Sequence, residues 1–443
     1  MELISHQRSN ETLKKVIWTY IILLLFEGAL RKWFLPSLSN VLLIIRDPLA
    51  IYLVVVGFKN GWLKNIYAVV ITVVTIITFF LTLTIGHQNL FVAIYGCRIT
   101  LIYFPLMFVI GKVLCYEDVL KVGRFILYIS VLVSIIITLQ YFSPQSALIN
   151  RAVGGAEGEG FGGVGEYFRP SGIFSFILVL ACFMSLVCPY LFWFILNPKQ
   201  AKLRGLAYVI VICYIISMFV SLSRTIIFQT ALTLLFVYIS SINGAKNFRK
   251  IIVLSIMGVF FMLVLLQFNF FKIAVDNIFL RFDTASESEG SVVSSTIGER
   301  YFGSFYRGLF NPQNLSHKEI PFFGFGQGMG TNAAITMMGQ KGTFLLAEEE
   351  WSRVVDETGF FFGWIILFVR LLFGLSMLRK AYFAMVTKNN SLPFFLMSSS
   401  LPLLINGQLG VAPILGFFAL FGGLSIAALK GNAPSINNKN ASK

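Results

Sequence analysis

Residues 66–86 read IYAVVITVVTIITFFLTLTIG. The stretch passes without a charged residue, an amide or a proline. A helix of about 20 apolar residues is long enough to cross the hydrocarbon core of a bilayer. Working outward, similar runs recur near 16–35, 39–57, 91–111, 123–142, 173–195, 206–222, 225–242, 251–271, 356–378, 392–409 and 411–429. With 66–86 they predict an all-α polytopic membrane protein of about twelve transmembrane helices, with residues 1–443 forming a single integral membrane domain.

Composition agrees. The chain has 443 residues, of which 57% are hydrophobic and 12% charged, and its mean hydropathy is +0.80. Soluble domains are nearer 25% charged, so a soluble globule, a disordered chain, a coiled coil and a collagen are all excluded. The first apolar run lacks a small-residue cleavage site and more spans follow it, so it reads as a retained span and not as a cleaved signal. The five cysteines have no CxxC or zinc-ligand spacing and read as small hydrophobes.

The net charge is +15. In a soluble protein that would suggest a nucleic-acid partner; here charge placement explains it. With the N-terminus inside, the inner segments hold Arg8, Lys14, Lys15, Lys59, Lys64, Lys112, Lys121, Arg124, Lys199, Lys202, Arg204, Lys246, Arg249, Lys250, Arg379, Lys380, Lys388, Lys430, Lys439 and Lys443. This is the positive-inside pattern. It predicts cytoplasmic termini, a cytoplasmic tail at 430–443 and no nucleic-acid partner. Two segments then face outward and exceed the short-loop pattern: a Gly-rich loop at 143–172 and a large loop at 272–355, before the last three spans. Long loops in a compact protein usually carry function, so the chemistry is expected at the outer face.

Charges within apolar runs are expensive and pair or line a cavity. Glu27 and Arg31 stand four apart on one helical face and can pair. Arg46 and Asp47 precede Pro48. Arg98 has no carboxylate nearby in sequence and needs either Asp47 or a ligand anion. Arg370 can snorkel. Ser221-Leu222-Ser223-Arg224 interrupts the apolar region 206–242. A guanidinium there can bind phosphate in bidentate fashion or simply sit among headgroups.

Further outward arginines are Arg151, Arg169, Arg281, Arg300, Arg307 and Arg353. Several guanidiniums on one face point to an anionic ligand or to lipid headgroups. Gly324, Gly326, Gly328 and Gly330 alternate along the large loop. They allow close backbone approach to a ligand or make a tight turn. They lack the strand–turn–helix setting of a dinucleotide fingerprint. Glu348-Glu349-Glu350 precede the tenth span and Asp356-Glu357 open it. A carboxylate beside apolar surface can serve as a base, whereas acids at a helix start also suit the macrodipole. His6, His87 and His317 share no metal spacing, so neither a metal nor another cofactor is expected.

In order and placement, these elements resemble the bacterial O-antigen ligase and O-antigen polymerase superfamily of membrane glycosyltransferases. The resembling pieces are Ser223-Arg224, Gly298-Glu299-Arg300, the run from Pro321 to Gly328, Glu350, and Val355-Asp356-Glu357-Thr358-Gly359-Phe360-Phe361-Phe362-Gly363. Phe26 to Trp33 and Arg46-Asp47-Pro48 are similar to polysaccharide-polymerase-like members. Together they span most of the chain.

The resemblance implies a multi-pass protein of the bacterial inner membrane. It would transfer glycan from an undecaprenyl-diphosphate-linked oligosaccharide to an acceptor glycan at the periplasmic face, as a metal-independent, inverting enzyme. Arg224 and Arg300 would grip the diphosphate, with Arg169, Arg98, Arg353, Gly324, Gly326 and Gly328 as further substrate-binding residues. Ligases of the superfamily carry a His after the Gly-rich stretch, but this chain has none beyond His317. Glu350 therefore stands as the candidate base, and a surface-polysaccharide polymerase is favoured over a ligase acting on lipid A core. A chain-length regulator is a possible further partner. The rival class is a transporter or flippase for lipid-linked sugars or another anion, with Arg98, Arg46 and Glu27 lining a path across the membrane.

Overall fold

A computed structural model describes residues 2–156, 161–198, 206–241, 256, 258–289, 303–310, 319–331, 334, 337–338 and 349–431. Helices dominate. Numbered along the chain they are α1 (Glu2–Ala29), α2 (Asp47–Lys59), α3 (Ile66–Thr84), α4 (Leu90–Arg98), α5 (Phe104–Val113), α6 (Tyr116–Phe142), α7 (Ile177–Leu196), α8 (Leu206–Val220), α9 (Arg224–Ser241), α10 (Asn269–Glu289), α11 (Ser304–Phe310), α12 (Glu350–Lys388), α13 (Leu392–Asn406) and α14 (Ala412–Ala428). Among the described residues, seven helices are long and apolar enough to cross a membrane: Pro36–Lys59, which contains α2; Leu90–Val113, which joins α4 to α5; and α3, α6, α7, α9 and α12. An eighth would be a bent pair, Gly258–Leu265 with Asn269–Thr284, which turns by 108°. The expected spans at 206–222, 392–409 and 411–429 are the shorter apolar helices α8, α13 and α14. The chain is thus an all-α, multi-pass membrane protein by its helices.

The core explains the packing order. α14 is apolar on every side and buried along nearly its whole length, as a central helix must be. It meets α5 through small residues: a side chain at Gly111 would collide with Ile426, and one at Gly423 with Ile110. Without water to drive helices together, such close contact is what holds them in a bilayer. Around this pair stand α1, α2, α6, α7 and α13, and Phe373 of α12 sets its ring against Phe104 and Phe108 of α5. Polar side chains join α9 to α13: the Gln229 amide donates to the Ser398 carbonyl at 2.8 Å, and the Thr233 and Ser398 hydroxyls share a 2.9 Å bond.

Neither loop is structureless. Residues 143–172 hold a short 3-10 turn (Leu148–Asn150) and an antiparallel hairpin of β1 (Phe161–Val164) and β2 (Tyr167–Arg169). The segment 272–355 contains most of α10 and all of α11. α10 buries Phe271, Ala274, Val275 and Ile278, the spacing of one helical face. Arg300, Glu348 and the tail beyond Gly431 lie outside the described residues.

The intramembrane charges close on one another. Glu27 accepts from Arg46 Nε at 2.8 Å and from Arg31 Nη1 at 3.4 Å. Arg46 is fully buried and also donates to the Ala412 carbonyl at 3.0 Å. Arg98 donates to Asp47 at 2.7 Å and to the Tyr95 hydroxyl at 2.6 Å, with its guanidinium 3.7 Å from the Tyr95 ring centroid. Asp47 accepts a further bond from Tyr103 at 2.6 Å. Of the two partners open to Arg98, the protein's own Asp47 is the one in place, so Arg98 is engaged in the bundle and does not stand open for substrate. Removing one member of a buried pair costs about 3–5 kcal/mol because the other charge is left bare. Glu27→Ala should therefore lower the melting temperature in detergent sharply, measured by the loss of a monodisperse peak on heating.

Candidate functional site

The Gly-rich segment 321–331 is a wedge driven between α3, α4 and the start of α12. Phe325 and Gly326 donate backbone N–H bonds of 2.8 and 2.9 Å to the carbonyls of Asp356 and Glu357. Those carbonyls are free because α12 breaks at Gly359, where φ is 76°. Gln327 is buried and plugs the wedge into α3, donating to Thr78 Oγ1 and to the Thr75 carbonyl. His87 bonds the Gln327 carbonyl at 2.9 Å. Gly324, Gly326 and Gly328 all have positive φ. A Cβ on them would strike Glu357 and Gly359, His87, and Val92 respectively. The close approach that these glycines allow is to the protein's own chain.

Glu350 is likewise enclosed. Arg353 grips it with Nε and Nη2 at 2.9 Å each, Arg370 donates from Nη1 at 2.6 Å, and Leu409 N donates at 3.0 Å. Arg353 continues to Glu357 at 2.7 Å, and Glu357 accepts from Gly330 N at 2.8 Å. Arg370 does not snorkel; its Nε donates to the Leu404 carbonyl at 3.0 Å. Four donors thus close on the two oxygens of one carboxylate. The chamber beside Arg353, Glu357, Arg370 and Gln327 holds only about 30 Å³, room for a water and not for a sugar. Glu350 and Arg353, singled out as base and substrate ligand, are thus bonded to each other and to Arg370, Glu357 and the Leu409 N–H.

A larger cavity of about 300 Å³ lies between α7, α9 and α10. Its lining includes Arg169, Arg224 and Arg281 with Ser223, over an apolar floor of Phe176, Ile177, Leu178 and Ala181. Three elements bring the arginines there. β2 ends on Arg169. The break between α8 and α9 turns at Leu222, whose φ of 50° is left-handed, and α9 starts on Arg224. α10 supplies Arg281, whose Nη1 also donates to the Gly162 carbonyl of β1 at 3.3 Å. All three side chains are partly exposed. Among the described residues the lining has no acidic side chain. Nor does any group of three His, Cys, Asp or Glu converge among the described residues as a metal site would.

Comparisons with family models, with curated proteins and with solved structures return no match. The cavity therefore has to be read from its own residues. Of the residues singled out from sequence, Arg169 and Arg224 come together here, whereas Arg98 and Arg353 do not. Arg281 was visible only as one outward arginine among several, because nothing local to it tells that α10 folds back over α9. The enclosed geometry of Glu350 sets a direct test. Glu350→Gln leaves Arg353 and Arg370 with too little negative charge, so thermal stability in detergent should fall by an amount on the order of 3–5 kcal/mol. A variant as stable as the parent but inactive would instead restore Glu350 as the base.

Proposed function

We propose that this chain is a membrane glycosyltransferase of bacterial surface-polysaccharide assembly, acting as a polymerase on glycan carried by undecaprenyl diphosphate. The observation that carries the reading is the cavity of Arg169, Arg224, Arg281 and Ser223 above an apolar floor. Guanidiniums match phosphate oxygens in bidentate geometry. A hydrocarbon floor beside them suits an amphiphilic anion, with its head against the arginines and its chain along α7. The family resemblance supplies the sugar and the carrier.

In the proposed reaction an acceptor hydroxyl attacks the anomeric carbon while the bond from that carbon to the diphosphate oxygen breaks. Negative charge develops on the leaving diphosphate, where preorganised cations are most effective. Arg224 and Arg169 supply them within the described residues, and the resemblance adds Arg300. The guanidiniums take the charge-neutralising role that a metal ion fills in other glycosyltransferases. The reaction also needs a base, which Glu350 in its present setting does not supply.

We place the cavity on the periplasmic side of the inner membrane, with both termini in the cytoplasm and twelve spans in all. Support comes from Lys14, Lys112, Lys121 and Lys430, which gather around Asp118 and the turn between α5 and α6, as the positive-inside rule asks of the cytoplasmic side. A transporter would need Glu27, Arg46 and Arg98 along an open path, but they are tied to one another and to Asp47. A polymerase and a ligase differ in acceptor, so the assay must vary it.

Reconstitution with a synthetic undecaprenyl-diphosphate oligosaccharide should give a ladder of repeats and free lipid diphosphate, without nucleotide sugar or metal. Turnover only on addition of lipid A core would make the protein a ligase. Movement of intact substrate between leaflets would make it a flippase. In the same assay Arg224→Ala should lower the rate by about 10²–10³-fold with the protein still folded. Full-length polymer from that variant would refute the assignment.

A further inference from the structure

The turn that joins Arg169 to the cavity floor is held from below by a lysine. Lys32 follows α1 in a π-helical turn, Leu30–Phe34, and is buried. Its ammonium donates to Ser171 Oγ at 2.7 Å and to the carbonyls of Gly172 and Phe174 at 2.9 Å each. No carboxylate stands among its described partners. A buried lysine without a counter-ion is costly, and three acceptors from one turn use all three of its N–H donors.

The turn itself is shaped to present them. Gly172 has φ of 62°, and Phe174 N closes on the Ser171 carbonyl at 3.1 Å. Two neighbours complete the clamp. Arg31 donates to Ser175 Oγ at 3.1 Å, and Gln140 Oε1 accepts from Gly172 N at 2.7 Å. Arg169 lies two residues before this clamped turn and Phe176 two residues after Phe174; both line the cavity.

We infer that Lys32 is a positioning residue for the cavity: by ordering Ser171–Phe174 it sets the reach of the Arg169 guanidinium toward a bound diphosphate. Lys32 touches no substrate and acts only through the turn. A flexible turn would still carry Arg169, but the arginine would pay its ordering entropy on binding. The inference rests on the reading of the cavity as a diphosphate site.

The test is a double-mutant cycle on binding of farnesyl diphosphate to the purified full-length protein in nanodiscs, which needs no glycan transfer. Arg169→Ala should weaken binding on the order of tenfold, the scale of one charged hydrogen bond. Lys32→Met should weaken it to a similar degree. The double variant Lys32→Met/Arg169→Ala should be no worse than Arg169→Ala alone, because both remove the same contact. In the Arg224→Ala background Lys32→Met should keep its full effect. Ser171→Ala removes one acceptor, should give a smaller loss of about threefold, and carries the same cycle if Lys32→Met does not fold. Additive losses for Lys32 and Arg169, or Lys32→Met (or Ser171→Ala) binding as tightly as the parent, would overturn the inference while leaving the cavity in place. A parent protein that does not bind farnesyl diphosphate would overturn the cavity reading and this inference together.

Discussion

A charge that leaves water must find its partners inside the protein, and this bundle is organised by two glutamates that do so. Glu27 collects Arg31 and Arg46, and through Arg46 it reaches the Ala412 carbonyl at the start of α14. Glu350 collects Arg353, Arg370 and the backbone N–H of Leu409. Both networks thus converge on the α13–α14 connection, from opposite ends of the chain. Hydrophobic packing gives helices in a bilayer little orientation, because lipid is as apolar as leucine. Ion pairs with fixed donors restore that orientation. The same pairs tie the guanidiniums of Arg31, Arg46 and Arg98 to the protein's own acids.

The cavity arises where this order is locally relaxed. Arg169 ends a hairpin, Arg224 follows a left-handed Leu222, and Arg281 sits on a helix that turns 108° from its predecessor. The first two interrupt regular helix, and the third is carried by the helix that follows a sharp bend. In hydrocarbon, irregular backbone survives only where protein or water covers it, so interruptions collect at one end and carry their polar side chains with them. The hairpin is fastened there by a stacked pair, Tyr141 and Tyr167, with ring centroids 4.7 Å apart. Asn277 of α10 donates to the Tyr141 hydroxyl at 2.7 Å. The elements that supply Arg169 and Arg281 are therefore linked through α6 as well as across the cavity.

Much of this was legible in the sequence, and the reason lies in what each signal depends on. Apolar length is a local property, so 66–86 announces α3 almost end to end and 123–142 announces α6 except for its polar first two turns. The Glu27–Arg31 pair follows from helical spacing alone. The Ser223-Arg224 break is visible because polar residues interrupt an apolar run. What failed was set by contacts distant in sequence. Arg370 reads as a snorkelling residue until Glu350 is seen to reach it across α12. Gly324, Gly326 and Gly328 read equally as a ligand approach or a tight turn until the broken helix at Gly359 is seen to supply the carbonyls that Phe325 and Gly326 bond. The three-acceptor turn around Lys32 has no local signature at all, because its donor and acceptors lie about 140 residues apart.

Gly359 shows how these constraints meet. A helix of 39 residues is longer than a bilayer needs, and a straight one would carry Glu350, Arg353 and Asp356 beyond the bundle. The break folds the first turns back, so that Glu350 reaches the donors from Arg370 and Leu409 while the freed carbonyls of Asp356 and Glu357 bind the glycine wedge. A side chain at Gly359 would strike the Phe322 carbonyl, and its φ of 76° is costly for any other residue. One glycine thus permits both the charge network and the wedge. The alternating glycines of the large loop and the acidic start of the tenth span, which look like separate motifs in the sequence, are two sides of a single joint.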